Sequence, residues 1–274
     1  MGFVSALLYA LLMYGLPVAE AIYNDRSPGV ILLLFWFETV LMVITAAIRI
    51  VLHRRATAKA GHYVASQVAS DSKSTEASVR RALGGENDFL KAFLGLTVIF
   101  TIAHGLFVLL LVFLFKVGGP VSLQDARIAL SYTIAVQAIF LLWDLPRIRG
   151  WSFEELGRNV GTVPIRVLVT QLGLIFGVPM FGLTNSGWGL VGTFVALRAL
   201  LDATMVALQG VVTRRDLPAG LARLLSRTSK KPVESLEAEF DALKRDSKAV
   251  QALLETPISE VRRDPARMGT RARS

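Results

Sequence analysis

Long apolar runs constrain this chain more than any other feature of its sequence. Six of them, at about 3–22, 30–52, 90–115, 128–145, 163–183 and 187–209, approach the roughly 20 residues that a helix needs to cross a hydrocarbon core of about 30 Å. Only 19% of the 274 residues are charged, and the mean hydropathy is +0.52, which excludes an ordinary soluble domain. The sequence therefore predicts an all-α polytopic membrane protein with six transmembrane helices over residues 1–209.

The first run has a second interpretation as a secretory signal peptide. Ala19-Glu20-Ala21 is similar to a small-residue cleavage site. Signal peptides begin with a basic region, however, and no Lys or Arg precedes this run. We therefore expect a retained first helix.

Positive charges are divided unequally between alternate loops. One set of loops holds only Arg26, Lys116 and Arg127, whereas the other holds seven basic residues between 53 and 91 and four between 147 and 166, and the tail after position 209 adds fourteen. Because short cytoplasmic loops carry excess Lys and Arg, both termini are predicted to be cytoplasmic, in the inner membrane of a bacterium. Attraction to anionic inner-leaflet lipids then accounts for the net charge of +9 without nucleic acid as a partner.

Two segments are too polar to cross a membrane. Residues 53–89 are rich in Ala and Ser, which predicts a mobile cytoplasmic loop or short helices. Residues 210–274 form a basic cytoplasmic tail, in which a leucine-containing stretch with Arg214 and Arg215 is suited to lie on lipid head groups. The end of the tail, 262–274, is predicted to be disordered.

The tail also contains a helical seam of apolar residues at 233–254. Their spacing alternates between three and four residues, and Pro257 ends the pattern. This helix packs on loops of its own chain, or it assembles the protein as a homo-oligomer or with a membrane protein partner. The spacing favours neither interpretation.

Glu38 is the strongest candidate for a functional residue, because ionisable groups at bilayer depth are costly. It lies in the second apolar run, and Thr45 and Arg49 share its face because eleven residues make about three helical turns. The stripe is predicted to face protein or water. Glu38 is then either a proton or cation site, or a buried carboxylate paired with a neighbouring helix.

Other ionisable residues lie in the third and sixth runs. Arg198 and Asp202 are four residues apart and are able to pair along one helix face, while Arg198 is also a candidate partner of Glu38. His104 lies in the middle of its run. The sequence therefore predicts a substrate or proton pathway lined by Glu38, Arg49, His104, Arg198 and Asp202.

No cofactor or metal is predicted. The chain has no cysteine, and His53 and His62 fall at or outside the inner boundary of the membrane, so a bis-histidine haem or zinc site within the bilayer is not supported. The motifs of common hydrolases, nucleotide-binding proteins and metalloproteases are missing from the sequence. At the inner face, Arg147 and Arg149 beside Asp144 form a candidate patch for lipid head groups.

Several segments together resemble the bacterial membrane family known as domain of unknown function 6498. They are Tyr14-Gly15-Leu16-Pro17, Phe35-Trp36-Phe37-Glu38, Ala103-His104-Gly105-Leu106-Phe107, Pro164-x-Arg166 and Leu197-Arg198-Ala199-Leu200-Leu201-Asp202. The resemblance covers about residues 10–208 and leaves the tail outside. It implies a multi-pass helical fold with a buried Glu38, but no activity.

Three classes of function remain open. The leading hypothesis is small-solute or proton-linked passage through the polar-lined bundle. The second is a non-catalytic membrane scaffold or accessory subunit that assembles through the bundle and the helix at 233–254. The third, a lipid- or quinone-active membrane enzyme, has the least support, because no catalytic motif accompanies it.

Overall fold

The protein is helical throughout the part described by the computed structural model, which comprises residue 12 and residues 15–64, 88–117, 119–212 and 250–263. The helices are α1 (Leu16–Tyr23), α2 (Pro28–Thr57), α3 (Phe89–Leu109), α4 (Leu123–Ile148), α5 (Phe153–Thr184) and α6 (Gly187–Val212). A 3-10 helix covers Ala60–Tyr63 and a π-helical turn, Leu110–Leu114, extends α3. Residues 250–255, here α7, are helical, and α8 covers Ile258–Arg263.

Short polar side chains begin four of these helices. Ser122 Oγ accepts from the backbone N–H of Asp125 at 3.1 Å at the start of α4, and Ser152 Oγ accepts from that of Glu155 at 2.9 Å in α5. Asp88 serves α3 and Ser186 serves α6 in the same way. Such caps satisfy N–H groups that the first turn leaves without helical partners. The polar residues between the apolar runs therefore determine where these helices begin.

Four helices are long and apolar enough to cross a membrane: Pro28–Thr57, Phe89–Leu114, Leu123–Ile148 and Phe153–Thr184. Gly187–Leu200 is a shorter apolar helix among the described residues. The second to sixth predicted runs are therefore helical, whereas most of the first run lies outside the described residues. Within the described residues, four of the six predicted spans satisfy both length and composition.

The described residues form two compact units. The first contains residues 15–49, 94–150 and 157–206, and the second contains 50–64, 88–93, 151–156, 207–212 and 250–263. Of the four helices that are able to cross a membrane, α2 is the most buried. In its most apolar stretch 61% of the residues are buried, against at most 39% in the other three helices. Phe35 of α2 stacks on Phe194 of α6 with ring centroids 4.8 Å apart.

Many large apolar side chains of the first unit are exposed. Ile99 and Ile102 of α3 are 69% and 66% exposed, and Ile175 of α5 is 60% exposed. A contiguous apolar exterior of this kind is unfavourable in water and is typical of surfaces that meet lipid or another protein. The outer faces of these helices thus fit a bilayer.

Residues 58–64 of the second unit form a packed turn with a short helix. Ala58 adopts a positive φ of 45° directly after α2, which reverses the chain into the 3-10 helix, and Ala60, Gly61 and His62 are buried there. Backbone hydrogen bonds join this turn to the C-terminal segment, from Ala60 N to Thr256 O at 2.8 Å and from Ile258 N to Ala58 O at 3.0 Å. Of the two alternatives predicted for 53–89, short helices rather than a mobile loop describe residues 60–63, while 65–87 lie outside the described residues.

The helical seam is described only at its end. Val250 and Leu254 are both buried, and α7 ends at residue 255, two residues before Pro257, where the seam was expected to stop. The remainder of the seam and residues 264–274, most of the end predicted to be disordered, lie outside the described residues.

Candidate functional site

A buried ion pair joins two helices in the core of the first unit. Arg198 of α6 donates through Nη2 to Oε1 of Glu38 on α2 at 2.8 Å. The side chain of Glu38 is 0% exposed and that of Arg198 is 1% exposed. Water is therefore excluded from both charges, and each neutralises the other where desolvation would otherwise be prohibitive.

Neighbouring side chains fix the guanidinium of Arg198. Its Nη1 donates to Oγ1 of Thr170 on α5 at 2.9 Å, and that hydroxyl in turn donates to the carbonyl oxygen of Arg166 at 2.7 Å. Met42, one turn after Glu38, places its Sδ 3.9 Å from Arg198 Nη2 and 3.7 Å from Arg166 Nη1. Three helices thus hold one charged group in a single orientation, and sequence reasoning identifies neither Thr170 nor Met42.

His104 of α3 belongs to the same polar region. It is 0% exposed, lies within electrostatic range of Arg198 and faces Gln171 of α5. The Gln171 amide nitrogen donates to the carbonyl oxygen of Phe100 at 3.3 Å. Gln171 interacts with the imidazole as a hydrogen-bonding neighbour, although neither ring nitrogen forms a bond of ordinary geometry with a described residue, so at least one ring nitrogen keeps hydrogen-bonding capacity that the described residues do not use.

Trp36 of α2 packs closely against α3 because residue 105 is a glycine. A Cβ at Gly105 would lie 2.6 Å from Cε2 of the Trp36 indole, which is too close for any side chain. The indole Nε1 is buried and, within the described part of the chain, lacks an acceptor. The contact between α2 and α3 therefore encloses two polar side chains with unused hydrogen-bonding capacity.

The structure brings together three of the five predicted pathway residues, Glu38, His104 and Arg198. Arg49 lies apart from them and pairs with Asp144 of α4, with Nη2 2.9 Å from Oδ2. The side chain of Asp202 lies outside the described residues. The predicted pairing of Arg198 with Asp202 is thus not tested, and the alternative partner, Glu38, is the one observed.

The predicted head-group patch is only partly as expected. Arg147 and Arg149 are exposed, and the Arg147 guanidinium stacks over the ring of Trp143 at 4.8 Å. Asp144 is bonded to Arg49. Its carboxylate is therefore engaged in an interhelical ion pair and does not belong to the exposed patch. Arg214 and Arg215 lie outside the described residues.

Sequence reasoning misses a second polar cluster, in the second unit. His53 Nδ1 lies 2.7 Å from His62 Nε2, and His53 Nε2 lies 3.0 Å from the carbonyl oxygen of Trp151. Both imidazoles are 0% exposed. Burial lowers the pKa of His62 to about 3, and the nearby charges of His53, Arg54 and Lys59 act in the same direction.

Neither cluster is arranged as a metal centre. Within the described residues, no three His, Cys, Asp or Glu side chains converge to hold a metal ion. The core cluster instead combines a compensated ion pair with a neutral group that is able to take or give a proton. An arrangement of this kind is able to compensate a buried charge and to take up or release a proton.

Comparison with known proteins identifies the family but no activity. A family of unknown function, DUF6498, matches residues 4–219. No curated protein matches the chain, and no solved structure matches it. Because the match covers more than half of its length, the chain belongs to this family, which confirms the resemblance carried by the apolar core segments.

Proposed function

We propose that this DUF6498 protein mediates proton-linked passage across the bacterial cytoplasmic membrane through the bundle that contains Glu38, Arg198 and His104. The topology we propose has six spans with both termini in the cytoplasm. The predominance of Lys and Arg in one set of loops supports this orientation. The apolar exterior of the helices supports residence in a bilayer.

One observation carries the functional proposal: the Glu38–Arg198 pair, with both side chains at most 1% exposed, lies within electrostatic range of His104. A proton that reaches Glu38 neutralises the carboxylate and removes the compensation that Glu38 gives to the charge of Arg198. Leaving one partner of a buried pair uncompensated costs about 3–5 kcal/mol. Protonation therefore favours any rearrangement of α2 and α6 that hydrates Arg198, which is the coupling that a proton-driven conformational cycle requires.

His104 supplies the group that exchanges protons with this pair. A neutral imidazole carries one N–H donor and one acceptor nitrogen; Gln171 is a hydrogen-bonding neighbour for one of them, and neither forms a bond of ordinary geometry with a described residue. A histidine retained for structure would normally hydrogen-bond both nitrogens when buried. The unused capacity of His104 therefore favours a relay role over a structural one.

The test is proton flux in proteoliposomes that contain an internal pH indicator dye, driven by a potassium diffusion potential. Wild-type protein is expected to raise the flux above that of protein-free liposomes, and Glu38→Gln is expected to return it to that background. Arg49→Gln combined with Asp144→Asn is the matched control, since it removes a half-buried interhelical ion pair of the described first unit and should retain flux. Background flux in the wild type, or full flux in Glu38→Gln, would overturn the proposal.

The second candidate is a membrane scaffold. The exclusion of solvent from the Glu38–Arg198 ion pair favours it. No water reaches Glu38 in this conformation, so the pair also fits a fixed contact that sets which helices pack together. A scaffold is expected to show background flux while retaining assembly with anionic lipids, a second copy or a membrane protein partner. Co-purification of full-length protein and its oligomeric mass in lipid nanodiscs distinguish this outcome.

A further inference from the structure

The C-terminal segment of the second unit is held by one carboxylate. Glu255 Oε1 accepts from the backbone N–H of Phe153 at 2.5 Å and of Glu154 at 3.2 Å, and Oε2 lies 2.6 Å from Lys59 Nζ. A residue of the C-terminal segment thus caps the N-terminus of α5, where the helix dipole favours a negative charge. Together with the backbone pairing of Lys59 and Pro257, this contact, here termed the clasp, docks residues 250–263.

The two buried histidines are bonded to the clasp. The carbonyl oxygen of Trp151 accepts from Lys59 Nζ at 2.9 Å and also lies 3.0 Å from His53 Nε2. Lys59 is the same residue that pairs with Glu255. His62 packs edge-on against Phe153, with ring centroids 5.2 Å apart, so the imidazole pair contacts one residue that binds Glu255 and shares the Trp151 carbonyl oxygen with Lys59.

The hydrogen bonds of the pair fix its protonation. Because a carbonyl oxygen only accepts, His53 Nε2 carries a proton and the neutral His53 accepts at Nδ1. His62 must then donate from Nε2, which leaves its Nδ1 as a buried lone pair with no partner among the described residues. The docked state is therefore satisfied by two neutral rings.

A proton added to this pair meets an unfavourable environment. Two cations, Arg54 and Lys59, and two anions, Asp88 and Glu255, surround the rings. The anions are already engaged, Asp88 by Arg54 at 2.6 Å and Glu255 by Lys59 at 2.6 Å. One proton creates a buried charge that these pairs do not compensate, and a second sets two N–H groups against each other at 2.7 Å.

We propose that the clasp is an acid-released contact, in which proton uptake by the His53–His62 pair frees the C-terminal segment 250–263. In the released state the histidines meet water and bind protons near their ordinary pKa of about 6.5. The docked state resists protonation, since burial lowers the pKa of His62 to about 3. Below pH 6.5 the docking equilibrium constant therefore falls about tenfold per pH unit for one proton, and up to a hundredfold for two.

Hydrogen exchange of the full-length protein in lipid nanodiscs tests this directly, because docking protects the amides of Ala60 and Ile258 through backbone bonds. After correction for the intrinsic pH dependence of exchange, protection of these amides is expected to fall at least tenfold between pH 7.5 and 5.5. Amides inside α4 serve as the internal control and should keep their protection. Unchanged protection of Ala60 and Ile258 would overturn the proposal.

Two variants identify the group that titrates. His53→Gln combined with His62→Phe keeps a donor toward Trp151 and a ring toward Phe153, and should abolish the pH dependence. Should this variant fail to dock, Glu255→Gln should lower protection at both pH values while leaving the ratio between them unchanged. Retention of the pH dependence in the double variant, or its loss in Glu255→Gln, would overturn the assignment to the histidines.

Discussion

Replacing Glu38 with Gln is the sharpest test of how the core of the first unit is held. Gln is nearly the same size and still accepts a hydrogen bond, but it carries no charge. Arg198, 1% exposed, remains protonated, because an arginine side chain does not lose its proton in a protein. The substitution therefore removes the negative charge that Glu38 places beside a buried cation without creating a cavity.

The cost follows from the geometry of the pair. With 2.8 Å between Nη2 and Oε1, the charge centres are about 4 Å apart, and their attraction is about 4 kcal/mol at an effective dielectric constant of 20. Removal of one partner of a buried pair costs about 3–5 kcal/mol. Glu38→Gln combined with Arg198→Gln leaves no bare charge, and is expected to cost less than Glu38→Gln alone.

The free energy of unfolding is measured by SDS titration in mixed detergent micelles, with helicity followed by circular dichroism. Asp144→Asn is the matched control, because the Arg49 and Asp144 side chains are 13% and 15% exposed. Water solvates that pair, and its loss is expected to cost about 1 kcal/mol or less. Equal costs for Glu38→Gln and Asp144→Asn, or a double variant no more stable than Glu38→Gln, would refute the reasoning.

Three further predictions use the same unfolding assay. Gly105→Ala forces a Cβ into the Trp36 ring and should cost about 1–3 kcal/mol, whereas Gly95→Ala on the same helix meets nothing within 4 Å and should be neutral or stabilising; equal effects would contradict the packing. His104→Leu should preserve or raise stability, since it removes unpartnered buried polar atoms, while lowering proton flux; a large loss of stability would indicate a structural histidine. The pKa of His62 is lowered to about 3, so the contribution of this histidine to the free energy of unfolding should be complete above pH 6.5. Below pH 6.5 that contribution should fall by about 1.4 kcal/mol per pH unit, and His62→Phe should remove this pH dependence.

Helix positions are well predicted from the sequence because a bilayer permits few alternatives. A backbone in hydrocarbon must satisfy its own hydrogen bonds, so each long apolar run forms a helix. The predicted run at 90–115 corresponds to Phe89–Leu114, and that at 30–52 to Pro28–Thr57. The additional residues at the C-terminal end of α2 follow Leu52 and are mostly polar, so the apolar run ends there while helical hydrogen bonding continues.

The ion pairs are less predictable than the helices. The position of a charged residue within an apolar run indicates that it needs a partner, but it does not indicate which residue the partner is. Glu38 and Arg198 both require compensation, so their contact is among the predicted alternatives. Arg49 shares the helix face of Glu38 by spacing, yet it bonds to Asp144, a residue that the sequence assigns to lipid head groups. Which helices are neighbours decides between these outcomes, and a single sequence does not record it.

The contact between His53 and His62 is likewise not predictable from the sequence. His53 and His62 lie where the apolar signal ends, and that position argues against a shared intramembrane site. Their contact instead depends on the reversal at Ala58, with φ 45°, and on Phe153, whose ring lies 2.5 Å from where a Cβ of Gly61 would be. The local sequence signals are limited to the turn and to Gly61 beside His62. The ring that packs against them belongs to Phe153, which is distant in the chain.

The two clusters respond to protons in opposite ways. At Glu38 a proton removes a negative charge and exposes an existing cation, whereas at the His53–His62 pair it adds a positive charge beside Arg54 and Lys59. In both, protonation destabilises a buried contact. The two contacts share no residue, so the clasp is expected to release without any change at the core pair. Loss of Ala60 protection at a pH where Glu38-dependent flux is unchanged would show this independence.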